Sequence, residues 1–269
     1  MRALENEMSK THWFDLTARD FEKLDKDRTI AILPIAATEQ HGPHLSVGTD
    51  TLMAGGFCAE VKKRLPSGLS VLFLPVFWVG KSNEHLRSPG TITLSAETLI
   101  RAWTEIGESV ARAGIRKLVI VNSHGGNVEI MGIVARELRV RCNMLVVQTA
   151  WRRLGVPEGV FSDTENAFGI HGGDYETSAM LHFSPDRVKM SKAKDFVPKS
   201  IEMAETYKHL RMTGFTSMAW IAEDNHPEGV AGEAHLATAE KGRKAAEFQS
   251  LRFIELLQDV AKFPLSDLA

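Results

Sequence analysis

The sequence predicts an α/β fold, a layered α/β/α sandwich whose central β-sheet is mainly parallel. Two patterns indicate this class: short apolar runs, and amphipathic stretches of helical period between them. A strand of a parallel sheet is covered on both faces, so it reads as a nearly continuous apolar run. Strands that alternate with helices are typical of layered α/β folds.

Four apolar runs are predicted as the strands of this sheet. They cover residues 29–37, 70–76, 117–122 and 143–149. We expect each strand to be buried on both faces, because its apolar residues do not alternate with polar ones.

Helices are predicted between and after these strands. One begins after Ser95, the predicted N-cap, and ends before Gly114. A second begins after Asn127, and a long last helix is predicted from about residue 234 to residue 262. Their apolar residues recur at the spacing of one helical face, as at Leu99, Trp103, Ile106 and Val110.

The composition is that of a globular chain. Its 269 residues are 43% apolar, and no linker-like segment divides them, so we predict a single domain over residues 1–269. The net charge is −2, and no stripe of basic residues alternates with aromatic ones. This argues against nucleic-acid binding. Cys58 and Cys142 are expected to be reduced thiols.

No targeting or membrane-spanning segment is predicted. The residues from Met1 to Thr11 are polar and charged and lack the apolar run of a secretion signal. No run of about 18 or more apolar residues occurs, which argues against a transmembrane helix. The expected location is the cytoplasm, and the expected partner is a small-molecule substrate.

Side chains of metal-binding type follow the first and third predicted strands. Glu39 and His41 lie on the same side of an extended backbone after the first strand. Asp50 is predicted to open the next helix, with Thr49 as its cap, and His124 lies in a glycine-rich segment after the third strand. Ligands of parallel α/β sheets bind beyond the carboxyl ends of the strands, so these side chains define a predicted site.

Two carboxylates and two imidazoles suit a divalent transition metal, and the set fits zinc, manganese and ferrous iron about equally. One carboxylate can bridge two ions roughly 3.5–4 Å apart, and Asp50 is the predicted bridge. The alternative is that the glycine-rich loop around His124 binds an anion at a helix N-terminus. The negative charges of Glu39 and Asp50 count against an anion site.

Several segments resemble motifs of the creatininase family, and they run in family order from about residue 30 to residue 245. These segments are residues 39–45 with Thr49 and Asp50, residues 122–127, residues 171–178, residues 80–85 with 88–91, and residues 229–232.

The resemblance implies an α/β sandwich with a dinuclear metal centre that hydrolyses non-peptide C–N bonds, typically in cyclic amides. It also implies a homo-oligomer, often a hexamer. By the same resemblance, Glu39 and His124 would hold one ion, His41 would hold the other, and Asp50 would bridge them. Zinc is the expected metal, with manganese or iron as alternatives.

The chain departs from the creatinine-hydrolysing members at two positions. Gly126 stands where they carry a metal-binding Glu, and Ile170 stands where they carry a Glu just before the third-motif histidine. Glu176 is the expected replacement ligand and a catalytic candidate. The alternative for Glu176 is an N-cap or a helix salt bridge. Creatinine is therefore not the expected substrate.

In the implied mechanism, two ions lower the pKa of a bridging water, and the resulting hydroxide attacks a carbonyl carbon. His171 passes a proton to the leaving nitrogen, and donors of the glycine-rich loop help to hold the oxyanion. The predicted substrate-binding residues are Ser82, His85, Gly125, Gly126 and Trp151, with a structural role as the alternative for Trp151.

Other functions stay open at this point. Some relatives cleave a C–C bond in a keto-cyclitol ring, and others mature a modified peptide. From a different class, the chain would be a non-catalytic protein that binds an anion or another small molecule. The segment 212–220 is either a lid over the site, a subunit contact or part of the core.

Overall fold

A computed structural model describes residues 11–269; residues 1–10, on which the expectation about a secretion signal rests, lie outside the described part. The centre is a parallel sheet of four strands in the order β2–β1–β3–β4. The strands are β1 (Ile30–Ile35), β2 (Val71–Phe73), β3 (Lys117–Asn122) and β4 (Leu145–Ala150).

Helices alternate with these strands along the chain. The α-helices are α1 (Ala18–Lys23), α2 (Thr49–Arg64), α3 (Ala96–Arg112), α4 (Val128–Cys142), α5 (Asp163–Phe168), α6 (Asp174–Phe183), α7 (Lys199–Thr206), α8 (Ala222–Asn225) and α9 (Ala239–Lys262). A small antiparallel sheet pairs β5 (Asp195–Phe196) with β6 (Gly232–Glu233). Within residues 11–269, no helix combines the length and apolar character needed to cross a membrane.

Apolar side chains leave the sheet on both faces and form two separate cores. On one face, Ile30 and Ile32 pack with side chains of α2, α6 and α9. On the other face, Ala31 and Leu33 pack with side chains of α3 and α4. Successive residues of a strand point to opposite faces, so β1 contributes to both cores. The predicted α/β/α sandwich with a parallel sheet is confirmed.

The predicted ends of α3 are confirmed in atomic detail. The Ser95 hydroxyl accepts the backbone N–H of Thr98 at 3.2 Å, which satisfies one donor of the first turn. Gly114 has a φ of 90° just past the helix, a conformation that a residue without a Cβ adopts at little cost.

Other element predictions were wrong in detail. The last helix begins at Ala239, because Thr238 caps it and residues 234–236 form a separate 3₁₀ turn. Thr49 is the first residue of α2 rather than its cap. Most of β4 is only half-buried, because β4 is an edge strand of the sheet.

The sheet brings the predicted ligands together. Strands β1 and β3 are neighbours, and Ile35 near the end of one is in register with Asn122 at the end of the other. The segments that follow them therefore meet at the same edge of the sheet. The segment around His171, which precedes α6, joins them, because Nε2 of His171 donates to the backbone carbonyl of Gln40 at 2.8 Å.

Candidate metal centre

The carboxylate of Glu39 lies at the centre of the site and is fully buried. Its Oε1 lies 3.1 Å from Nδ1 of His124, 3.4 Å from Nε2 of His85 and 3.6 Å from Nδ1 of His171. Within residues 11–269, neither of its oxygens has a hydrogen-bond partner. A buried carboxylate of this kind is costly unless a cation neutralises it.

Asp50, in the first turn of α2, lies between His41 and the pair formed by Glu39 and His124. Its Oδ1 is 3.5 Å from Nε2 of His41, and its Oδ2 is 3.5 Å from Nδ1 of His124. Each carboxylate oxygen therefore faces a different imidazole. This is the placement that a carboxylate bridging two ions requires.

Glu176 completes the half of the site that contains His41. Its Oε2 lies 3.7 Å from Nε2 of His41, and the ligand atoms of His41, Asp50 and Glu176 lie within 4.8 Å of one another. The same oxygen accepts the backbone N–H of Gly172 at 2.6 Å. Glu176 thus lies in the cluster and also caps backbone before α6, while its role as a metal ligand stays a prediction.

Backbone carbonyls orient the two central imidazoles. Nε2 of His124 donates to the carbonyl of Lys81 at 2.8 Å, so Nδ1 is the nitrogen that faces Glu39 and Asp50. Nδ1 of His41 donates to the carbonyl of Glu39 at 3.0 Å, which leaves Nε2 facing Asp50. Metal-binding histidines are commonly held in this way through the nitrogen that does not bind the metal.

The nearby carboxylates change the pKa values of these two imidazoles more than burial does. Burial alone would lower the pKa of His124 and of His41, but the neighbouring carboxylates raise the two pKa values to about 10 and about 9. At neutral pH in the absence of a cation, both imidazoles therefore carry a second proton and a positive charge. In each ring, this second proton occupies the nitrogen that a metal would need.

His171 and His85 form a stack beside this cluster and stay neutral. The His171 ring lies 4.1 Å from the His41 ring and 4.4 Å from the His85 ring. Burial, together with the charge on His41, lowers the pKa of His171 to about 4. Burial and the neighbouring His171 lower the pKa of His85 to about 3.

The cluster opens into a pocket with a volume of about 520 Å³. Among the predicted substrate-binding residues, His85, Gly125 and Gly126 line this pocket. Residues 217–220 also line it, so the segment 212–220 contributes to the pocket wall. A larger cavity of about 660 Å³ lies beside α7 and α8 but contains none of the clustered ligands.

Two of the predicted substrate contacts are corrected by the structure. Ser82 is fully buried, and its hydroxyl lies 3.3 Å from Nε2 of His124, behind the ring rather than in the pocket. Trp151 is 2% exposed and packs in the core, with its ring 4.8 Å from Phe57 and 4.9 Å from Phe253. The structural alternative for Trp151 holds because β4 ends beneath α2 and α9.

Sequence reasoning missed one carboxylate and one amide of the site. Glu84 lies on the pocket wall with its Oε1 3.5 Å from Nε2 of His124, and a Cβ at Gly126 would lie 2.7 Å from that oxygen. Glu84 thus occupies space that any side chain at position 126 would need. Gln40 packs behind His85 and His171. The sequence did contain a signal for both residues, because Gln40 directly precedes His41 and Glu84 directly precedes His85 in the quoted motifs.

The donor set fits divalent cations. The buried atoms without a hydrogen-bond partner include both oxygens of Glu39, Nε2 of His41 and Oδ2 of Asp50. These are nitrogen and oxygen ligands that converge on two adjacent positions, as zinc or manganese requires. An anion would meet the carboxylates of Glu39, Asp50 and Glu84 in the same place and would be repelled.

The creatininase family model, described as creatinine amidohydrolase, matches residues 14–257. The chain belongs to the creatininase family. Its membership accounts for the order of the motifs along the chain and assigns it as a hydrolase of the metal-dependent amidohydrolase type.

Characterised relatives within the creatininase family differ in what they act on. A mycofactocin precursor peptide peptidase of Mycobacterium ulcerans is 33% identical over 218 residues, which is 79% of this chain and 78% of that protein. A creatinine amidohydrolase of Pseudomonas putida is 31% identical over 68% of this chain and 76% of that protein. A 3-dehydro-scyllo-inosose hydrolase of Thermotoga maritima is 24% identical over 94% of this chain and 85% of that protein.

Solved creatininase structures share the fold. A crystal structure of creatinine amidohydrolase superposes with a TM-score of 0.70 at 26% identity and covers 93% of this chain and 97% of that one. A creatininase structure described as a manganese form superposes with a TM-score of 0.74 at 24% identity, over 93% of this chain and 98% of that one.

Proposed function

We propose that this creatininase-family chain is a dinuclear metal-dependent hydrolase that cleaves an amide C–N bond. The observation that carries the proposal is the buried pair of carboxylates, Glu39 and Asp50. Their oxygens lie within 3.6 Å of four imidazoles, and both oxygens of Glu39 and Oδ2 of Asp50 have no hydrogen-bond partner within residues 11–269. Solved creatininases are described with zinc pairs or with manganese, and we propose the same ions here.

In this proposal, Glu39 and His124 would hold one ion, His41 and Glu176 would hold the other, and Asp50 would contact both. The clustering of these ligand atoms supports the assignment. Two bound ions would lower the pKa of a shared water and supply hydroxide near neutral pH.

The remaining steps belong to side chains and backbone of the pocket. The N–H groups of Gly125 and Gly126, just before α4, are suited to stabilise the oxyanion, because unpaired N–H groups cluster at helix N-termini. Nε2 of His171 donates to the carbonyl of Gln40 at 2.8 Å. The free Nδ1 therefore accepts a proton and transfers it to the leaving nitrogen.

A cyclic amide is the first candidate substrate, as the resemblance implies. The amide bond of a short peptide is the second candidate. It is favoured by the relatives named as peptide peptidases, at 29–33% identity. The pocket volume of about 520 Å³ lies within the usual range for ligands of drug size, so a short peptide fits it.

The test is a substrate panel on protein loaded with zinc or manganese. The panel contains cyclic amides with creatinine as the reference, short peptides, and keto-cyclitols, and Asp50→Asn protein is the control. We expect release of a carboxylate and an amine from a cyclic amide or a peptide, and none with the control. Turnover of keto-cyclitols alone would contradict cleavage of a C–N bond.

A further inference from the structure

The side chain of Gln40 lies behind two histidines of the site, and backbone groups fix which way its amide points. The N–H of Gly42 donates to Oε1 at 2.8 Å, so that atom is the oxygen. The amide nitrogen donates to the carbonyl of Gly229 at 2.5 Å. A backbone N–H only donates and a backbone carbonyl only accepts, so the amide cannot be flipped.

The other hydrogen of this amide determines the protonation of His85. The amide nitrogen of Gln40 lies 2.8 Å from Nδ1 of His85, and it can only donate. Nδ1 of His85 must therefore carry the lone pair. An imidazole with a lone pair on Nδ1 is neutral. Its single hydrogen is then on Nε2, the nitrogen 3.4 Å from Oε1 of Glu39.

The backbone of Gln40 gives His171 the same tautomer, but in this ring the other nitrogen faces Glu39. Nε2 of His171 donates to the carbonyl of Gln40 at 2.8 Å, and this leaves the lone pair on Nδ1, 3.6 Å from Oε1 of Glu39. The amide nitrogen of Gln40 lies 3.4 Å from the same Nε2, but both of its hydrogens are already used.

We propose that Gln40 is a positioning residue that sets the tautomers of His85 and His171. His85 then presents an N–H to Oε1 of Glu39, whereas His171 presents a lone pair to the same oxygen. His85 thus turns an N–H, and not a lone pair, toward Glu39, so it orients the carboxylate and is not a metal ligand.

The backbone at Gly229 packs closely against the side-chain amide of Gln40 and limits its movement. Gly229 has a φ of 69°, and a Cβ there would lie 2.7 Å from the amide nitrogen of Gln40. The close approach of this backbone to the amide requires a glycine. It accounts for one member of the motif at residues 229–232 that no metal ligand explains.

The inference rests on the proposed function for its role, but its test needs no metal. The measurement is long-range ¹H–¹⁵N correlation NMR of the full chain, labelled with ¹⁵N-histidine and freed of metal at pH 7. His85→Phe and His171→Phe proteins assign the signals. We expect both rings of the wild type to carry their hydrogen on Nε2. A hydrogen on Nδ1 of His85 would overturn the inference, whether or not any variant folds.

The decisive variant is Gln40→Glu, because a carboxylate accepts where the amide donates. We expect His85 to move its hydrogen to Nδ1 while His171 keeps its hydrogen on Nε2. Gln249→Glu is the matched control, since that buried amide also donates to a carbonyl, that of Gly155 at 2.8 Å, but contacts no histidine. An unchanged His85 signal in folded Gln40→Glu protein would contradict the inference.

The two proposals fail separately. Metal content is measured on the same wild-type preparation after incubation with zinc. A chain that binds zinc but carries the hydrogen on Nδ1 of His85 contradicts the role of Gln40 alone. A chain with the expected tautomers that binds no zinc contradicts the metal centre and leaves the tautomer assignment standing.

Discussion

At the scale of single residues, the proposed function separates groups that would bind cations from groups that would move protons. His41 and His124 face carboxylates through ring nitrogens oriented by backbone carbonyls. His171 differs, because its ring lies on the pocket wall and its pKa is lowered rather than raised. The difference yields separate expectations for the two kinds of residue.

Replacing His171 should leave the metal bound and slow the chemistry. In His171→Asn protein we expect turnover to fall by about 10²–10⁴-fold, the usual contribution of a proton-transfer group, with metal content unchanged. Steady-state kinetics and elemental analysis of the same preparation check this. Loss of metal would show instead that Nδ1 of His171 is a ligand.

Metal binding should release protons. His41 and His124 have pKa values of about 9 and about 10 without metal, so both are protonated at pH 7.5 and must become neutral to bind a cation. Metal affinity should therefore rise with pH up to about 10, the higher of the two pKa values. Calorimetric titration with zinc in two buffers of different ionisation enthalpy should give different heats. Identical heats would contradict this.

At the scale of elements, the predicted and observed bounds agree best for strands that are buried along their whole length. The strand β3 has the predicted bounds, because all its residues are covered on both faces. The strand β4 reads the same way in sequence but lies at an edge, and its exposure depends on strand order. The start of α3 was predicted correctly from its N-cap residue, Ser95. Strand order is a long-range property, which local patterns do not contain.

The contact between α9 and α6 matters for the site, because α6 carries Glu176. A Cβ at Gly242 of α9 would lie 1.9 Å from the backbone oxygen of Ser178 in α6. We expect Gly242→Ala to destabilise the chain by about 1–3 kcal/mol through overpacking. Gly55→Ala in α2 is the control, since its Cβ would meet nothing within 4 Å. It should stabilise by about 0.5–1 kcal/mol.

Urea denaturation followed by circular dichroism measures both glycine variants. The two substitutions make the same chemical change in two helices and differ only in what the new methyl group meets. Equal effects would contradict the close approach of α9 to α6.

At the scale of the whole molecule, the sheet collects residues that are far apart in the chain. Gln40 contacts His85 across 45 residues and Gly229 across 189 residues. Motif spacing predicted Glu39, His41, Asp50 and His124, because each follows a strand or opens a helix. It did not predict Glu84 or the role of Gln40, because these depend on how separate loops pack. The homo-oligomer implied by the family resemblance stays a prediction.

The most direct test is the metal content of the full chain, purified without chelator and then incubated with zinc or manganese. Elemental analysis should find about two ions per chain, as a dinuclear site requires. Asp50→Asn protein should lose both ions, and Glu129→Gln, which changes an exposed carboxylate of the same pocket, should keep them. A chain that binds no metal under saturating conditions would contradict the account.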